Sequence, residues 1–98
     1  MQYCSQPLKN LDDVRAYVKT MLCEFNALES GAFPLTERGL FRAGRRCGVY
    51  FCLHGPRAVK FTAIWELEKN RILFYGASGE RFLKVQLADA PDTELAVA

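Results

Sequence analysis

No stretch of the chain approaches the roughly 18 consecutive apolar residues that a membrane-spanning helix needs. The N-terminal segment MQYCSQPLKN lacks the apolar centre of a secretion signal, so a cytoplasmic location is expected. The four cysteines, Cys4, Cys23, Cys47 and Cys52, match no disulfide framework and include no C-x-x-C pair. Free thiols in a reducing compartment are the expectation. Gly44, Gly48, Gly55, Gly76 and Gly79 fall at turns that precede strands and not helices, so none belongs to a phosphate-binding loop. Internal repeats and low-complexity segments are also lacking. The most informative absence is of carboxylates: from Arg38 to Trp65 there are six basic residues and no acidic one.

That segment carries +6, while the remaining seven basic and eleven acidic residues leave the rest of the chain at −4. The net charge of +2 hides this division. A local positive field attracts anionic partners, although arginines at hairpin ends also serve simply as solvated surface.

A chain of 98 residues with 50% hydrophobic content is sized for one domain over 1–98, too short for two cores. Residues 1–10 have no periodicity and read as an irregular lead-in. Asn10 is a candidate helix N-cap, with Asp12 and Asp13 favourably placed in the first turn. Leu11, Val14, Val18, Met21, Leu22, Phe25 and Leu28 follow helical spacing, predicting a helix over 11–29 that Gly31 caps and Pro34 ends. Five strands follow, near 38–44, 48–54, 58–67, 71–76 and 81–88, joined by turn residues. The fold class is α+β: one N-terminal helix packed on a five-stranded antiparallel meander sheet, which strong curvature could roll around itself. Residues 89–98 contain Pro91 and three acids and read as a flexible acidic tail.

The alternation assigns faces. Val49, Phe51 and Leu53 share a face with Val59, Phe61, Ala63, Trp65 and Leu67 if Gly55-Pro56-Arg57 is a three-residue loop pairing Phe51 with Phe61. A two-residue Lys69-Asn70 turn pairs Trp65 with Phe74, and Leu83, Val85 and Leu87 complete that face. The expected core is Trp65, Phe61, Phe51, Phe74, Val85, Phe25 and Met21. The connection from Arg42 to Gly48 fits a two- or a three-residue loop, and the choice decides whether Leu40 or Phe41 faces the core. The opposite face, with Tyr50, Cys52, His54, Lys60, Thr62, Ile64, Leu73, Tyr75, Phe82, Lys84 and Gln86, has no cover from this chain. Tyr75 and Phe82 stand directly across from each other in this register.

An uncovered face that is not wholly polar implies a partner. A homodimer through the sheet face is one solution. Single-stranded nucleic acid, RNA or DNA, is the other, with bases stacking on Tyr50, Tyr75 and Phe82 and phosphates meeting Arg42, Arg57, Lys60 and Lys84. Cys52 and His54 project from one face about 7 Å apart, and no third orienting residue or oxyanion loop accompanies them. Adding Cys47 gives only three ligands for zinc. No catalytic residue, metal or cofactor is expected, and the chain reads as a non-catalytic binding or interaction module.

The segments FRAGRRCGVYFCLHGPRAVKFTAIWE and ILFYGASGERFLK, within residues 41–84, resemble a set of short bacterial proteins to which no activity is assigned. The resemblance implies a bacterial source and singles out the Gly55-Pro56-Arg57 turn and the loop from Ser78 to Phe82. A looser likeness links AIWELEKNRILFYGASGERFLK to the closing strands of RelE-type toxin ribonucleases. It implies cleavage of messenger RNA with Arg57, Lys60, Arg81 and Lys84 as the analogous basic residues. Those toxins open on two helices, and this chain has one. The order of one helix and five strands is also similar to that of Sm-like RNA chaperones and, less closely, of cystatin-like sheets.

Overall fold

The helix-then-strands order of the sequence is realised in the computed structural model, which describes residues 8–29 and 31–88 together with the backbone of 2–4. The elements are β1 (Gln2–Cys4), α1 (Leu11–Phe25), β2 (Leu35–Arg42), β3 (Arg45–His54), β4 (Lys60–Glu66), β5 (Arg71–Tyr75) and β6 (Arg81–Leu87). Strands β2 to β6 form the expected antiparallel meander, and the sheet order is β1-β6-β5-β4-β3-β2. The sheet is open, with β1 and β2 at its edges, and is not closed into a barrel. The expected acidic tail at 89–98 lies outside the described residues.

The lead-in is not wholly irregular. Residues Gln2 to Cys4 pair in parallel with β6, Gln2 opposite Val85 and Cys4 opposite Leu87. A meander leaves the outer backbone groups of its last strand unpaired, and even a three-residue strand satisfies some of them. Leu8, also from the lead-in, is 4% exposed and joins the core.

Helix α1 begins where Asn10 accepts a hydrogen bond from the Asp13 backbone N–H at 2.9 Å, with Asp12 and Asp13 facing the positive end of the helix dipole. Leu11, Val14, Val18, Leu22 and Cys23 form its buried stripe. The helix ends at Phe25, four residues before the expected end. Ala27 takes a left-handed φ of 54°, and Leu28 N–H donates to the Cys23 carbonyl at 2.8 Å. The Asn26 side-chain amide meanwhile donates to Leu22 O at 2.8 Å. This is a Schellman closure with alanine in the place glycine usually takes, so the sequence signal at Gly31 pointed too far downstream. Phe25 is consequently not a core residue. It is 51% exposed and stacks at the rim on Phe82, with ring centroids 5.4 Å apart, and Met21 is only half-buried.

Against the helix the sheet sets Val49, Phe51, Leu53, Phe61, Ala63, Trp65, Ile72, Phe74, Val85 and Leu87, all in one contiguous core. The faces are as read from the alternation, but two registers differ by two residues. Phe51 pairs with Ala63 and Leu53 with Phe61, because the β3–β4 connection occupies five residues, 55–59. Pro56–Ala58 forms a 3₁₀ turn there, Arg57 and Ala58 are left-handed, and Gly55 N–H donates to Val59 O at 2.8 Å. Trp65 pairs with Ile72, because the β4–β5 turn takes four residues. Asn70 closes that turn with a φ of 49° and accepts from the Trp65 indole N–H at 3.3 Å.

Two bulges break the alternation. In β3 the register passes from Leu40 opposite Gly48 to Phe41 opposite Arg46, leaving Cys47 as the extra residue. The choice left open between Leu40 and Phe41 thereby resolves to neither: Leu40 lies on the uncovered face and Phe41 is 63% exposed. In β6 the register passes from Phe74 opposite Leu83 to Tyr75 opposite Arg81, leaving Phe82 as the extra residue. A bulge turns neighbouring side chains to the same side, and both Phe82 and Leu83 pack on the core.

Phe51 is fully buried beneath the helix, so Phe51→Ala is expected to destabilise the fold by about 3–5 kcal/mol in urea melts. Gly48→Ala is a second expected loss, since a Cβ there would stand 2.8 Å from the Trp65 backbone oxygen. Unchanged melts for both variants would contradict the registers described above.

Candidate nucleic-acid interface

The registers line up a row of facing residues across all five antiparallel strands on the face away from the helix. Arg38 stands opposite Tyr50, Tyr50 opposite Ile64, Ile64 opposite Leu73, and Leu73 opposite Lys84. A cation thus sits at each end of an apolar centre. The guanidinium of Arg38 lies over the Tyr50 ring, 5.4 Å from its centroid, a favourable placement of a cation on an aromatic face. The next row runs Thr36, Cys52, Thr62, Tyr75 and Arg81, and the third runs Leu40, Gly48, Glu66, Arg71 and Gln86.

Glu66 is the carboxylate of these rows, and Arg71 binds it at 2.5 Å. The acid is therefore neutralised locally. Arg38, Lys60, Arg81 and Lys84 have no acidic partner among the described residues. Glu37, the acid of β2, points to the helix face and is bound by Arg15, which also pairs with Asp12. Glu37 is the main cause of Arg15 holding its proton more tightly than an arginine ordinarily does. The unpaired charges of the open-face rows are therefore cations, while Glu37 is neutralised on the helix side.

Five of the seven residues expected to touch nucleic acid lie on or beside this face. Tyr50, Tyr75 and Lys84 are half-buried in its rows, Lys60 is exposed at the start of β4, and Arg42 is exposed at the hairpin end. Arg57 lies apart on the 3₁₀ turn. Phe82 is a correction: the β6 bulge turns it to the helix side, where it packs on Phe25 and on Phe74 with centroids 6.3 Å apart. It therefore does not face Tyr75. Residues the sequence reading did not include are Arg38 and Arg71, which strand pairing brings beside Tyr50 and Glu66. The signal for Arg38 was available, since it occurs at the start of the acid-free segment.

Cys52 and His54 do not form a reactive pair. Cys52 is 5% exposed, and the His54 Nε2 is 2.9 Å from Thr36 Oγ1 across the strand. The His54 backbone N–H donates to Pro34 O at 2.9 Å. Cys23, Cys47 and Cys52 are free thiols. Among the described residues no group of three His, Cys, Asp or Glu side chains is placed to hold a metal ion, and no helix is long and apolar enough to cross a membrane.

The Gly55-Pro56-Arg57 turn and the 76–80 turn lie at the same end of the sheet. In the second, the Ser78 hydroxyl donates to Glu80 Oε2 at 2.5 Å, and Gly76 N–H donates to Glu80 O at 2.9 Å. A Cβ at Gly76 would fall 2.4 Å from Glu80 Oε1, the free end of an exposed side chain that would have to shift. No protein-family model, curated protein or solved structure matches the chain.

The Ser78 hydroxyl holds the Glu80 carboxyl below the ordinary glutamate range. A depressed folded value means that the stabilisation is present above the ordinary pKa and is lost as pH falls through the folded value. In an NMR titration Glu80 should protonate at lower pH than an unperturbed glutamate, and Ser78→Ala should bring it back up. An ordinary Glu80 titration in the unaltered protein would rule this bond out in solution.

Proposed function

We propose that the open sheet face binds single-stranded nucleic acid, RNA or DNA, and that the chain is a non-catalytic binding module. The observation that carries this reading is the row from Arg38 through Tyr50, Ile64 and Leu73 to Lys84. Its width suits a strand whose bases rest on the apolar centre while phosphates meet the cations at either end. Arg38 over Tyr50 offers a flat cationic platform, and arginine planes as well as aromatic rings stack on unpaired bases. The centre of the row, Ile64 and Leu73, is apolar, so binding without strict sequence preference is expected. A cytoplasmic setting, where such partners are abundant and thiols stay reduced, belongs to the same proposal.

Self-association through this face is the second reading, favoured by the apolar centre that the chain itself leaves uncovered. It carries an electrostatic cost, because two copies meeting face to face bring together two surfaces whose unpaired charges are all positive. A polyanion meets the same surface with the opposite sign. A RelE-type ribonuclease is less well supported. Arg57, Lys60 and Arg81 do belong to the end of the sheet where the two turns lie, but His54 there is engaged with Thr36 and Glu80 with Ser78.

Three measurements separate these readings. A labelled oligonucleotide should be retained with affinity that falls steeply between low and physiological salt, as counterion release requires. Tyr50→Ala and Lys84→Gln should each weaken retention by about tenfold, the cost of about one lost stacking or charge-assisted contact. A denaturing gel of the same samples should show intact oligonucleotide, and light scattering a monomer. Fragments that disappear in Arg81→Gln would instead promote the ribonuclease, and a dimer that Tyr75→Ala dissociates would promote self-association.

A further inference from the structure

The exit of the chain from β6 lies beside a recess of the open face. The Leu87 backbone N–H donates to Asn70 O at 3.0 Å, and the Gln86 side-chain amide donates to Lys69 O, also at 3.0 Å. The chain therefore leaves the sheet next to the 67–70 turn, where Lys69 is exposed. Lys69 and Arg42 border a recess of about 270 Å³ whose walls include Leu40, Gly48 and Ile64. Of the two carboxylates at its border, Glu66 is held by Arg71, which leaves Arg42 and Lys69 against Glu68 alone. Arg42, Lys69 and Lys84 have no acidic partner among the described residues.

Residues 89–98 follow one residue after β6 ends at Leu87 and Ala88 is passed. They hold Asp89, Asp92 and Glu94 and no basic residue, so the net charge of +2 combines −3 on this segment with +5 on residues 1–88. Acids without cations thus adjoin a face whose unpaired charges are cations.

We infer that the segment 89–98 docks across the open face as an internal competitor for the nucleic acid. The inference rests on the nucleic-acid reading above and adds to it how that binding is regulated. Reach permits the contact: ten extended residues span about 33 Å, whereas β6 and β2 stand four strand spacings apart, about 19 Å. Charge selects the face, since complementary potentials draw the acids toward Lys69, Arg42 and Lys84. The helix side offers less, because Arg15 is already held there by Asp12 and Glu37. Tethering supplies strength that the contacts individually lack. An exposed carboxylate meeting an exposed cation is a weak interaction, but a segment joined to the surface it binds acts at an effective concentration of about millimolar. An incoming strand has to displace it, so the segment lowers affinity without touching the nucleic acid.

The test uses the full chain and a full-length variant carrying Asp89→Asn, Asp92→Asn and Glu94→Gln. In amide NMR spectra at low salt and without nucleic acid, the signals of Arg42, Lys69 and Lys84 should differ between the two chains. Those of Val14 and Val18 in the helix should coincide and report an unchanged fold. A labelled oligonucleotide should bind the variant about tenfold more tightly at low salt, as removal of a competitor that occupies most of the face requires. Spectral differences that are absent, or confined to residues 86–88, overturn the docking even if affinity rises, since removing three negative charges also lessens long-range repulsion. Open-face differences with unchanged affinity overturn the competition and leave the nucleic-acid reading intact. Open-face differences in a protein that retains no oligonucleotide overturn the nucleic-acid reading while the docked segment stands.

Discussion

Every side chain on this sheet is assigned to a face by parity, and the rest of the structure depends on where parity is kept and where it is broken. A strand alternates its side chains with period two, so a register error of two residues leaves both faces unchanged, whereas an error of one exchanges them. The β3–β4 connection is two residues longer than the sequence suggests, and so is the β4–β5 turn. Phe51 still faces the helix and Tyr50 still faces away. The core is held to its composition by the cost of the alternative, since an odd slip in β4 would expose Phe61, Ala63 and Trp65 together and bury Lys60 and Glu66.

The two bulges are where parity fails. Cys47 and Phe82 each add one residue to one side of a ladder, and nothing in the apolar pattern marks either position. Phe82 reads as an open-face aromatic if β6 is regular. One inserted residue sends it to the helix side, where it lies against Phe25 at the rim of the core. The Cys47 bulge likewise removes both Leu40 and Phe41 from the core, a pair between which the alternation alone offered no decision. The helix end was hidden for a related reason: Ala27 adopts a backbone conformation that its residue type does not advertise, whereas Gly31, which does advertise it, lies beyond the helix. What was legible in the sequence was therefore what hydrophobic periodicity enforces, namely the helix, five strands, their order and most of the two faces. What was not legible rests on single-residue backbone choices and on pairing between segments distant in sequence, which is why Arg38 beside Tyr50 and the parallel strand β1 were missed.

Charge sorting follows from the same alternation. The acid-free stretch from Arg38 to Trp65 spans most of β2, all of β3 and nearly all of β4, and most of its buried apolar residues face the helix. Of its basic residues, Arg38, Arg42, Arg45 and Lys60 fall on the open face and Arg57 in a connection, while Arg46 lies beside Phe41. Glu37, just outside the stretch, falls on the helix side and is met there by Arg15. The positive surface is thus a consequence of threading a segment without carboxylates through three adjacent strands.

An open face with Ile64, Leu73 and two tyrosines would be expected to expose large apolar area, yet Phe25 and Phe41 are the large hydrophobics that stand exposed among the described residues, and neither lies on that face. Leu73 is 7% exposed. Long cationic side chains cover apolar neighbours with their methylene stems while keeping the charge in water, and the registers put Lys84 beside Leu73 and Arg38 over Tyr50. The cations thereby do two things at once. In the free protein they shield the apolar centre from water, and toward an anionic strand they present charge already positioned at its edges. On the proposed reading, a base that displaced Arg38 from Tyr50 would exchange one cation-π contact for a stacking contact, with the guanidinium left near a phosphate, so the net gain would lie mainly in the phosphate contacts. Under the reading proposed above, that balance would make the surface tolerant of sequence and sensitive to salt.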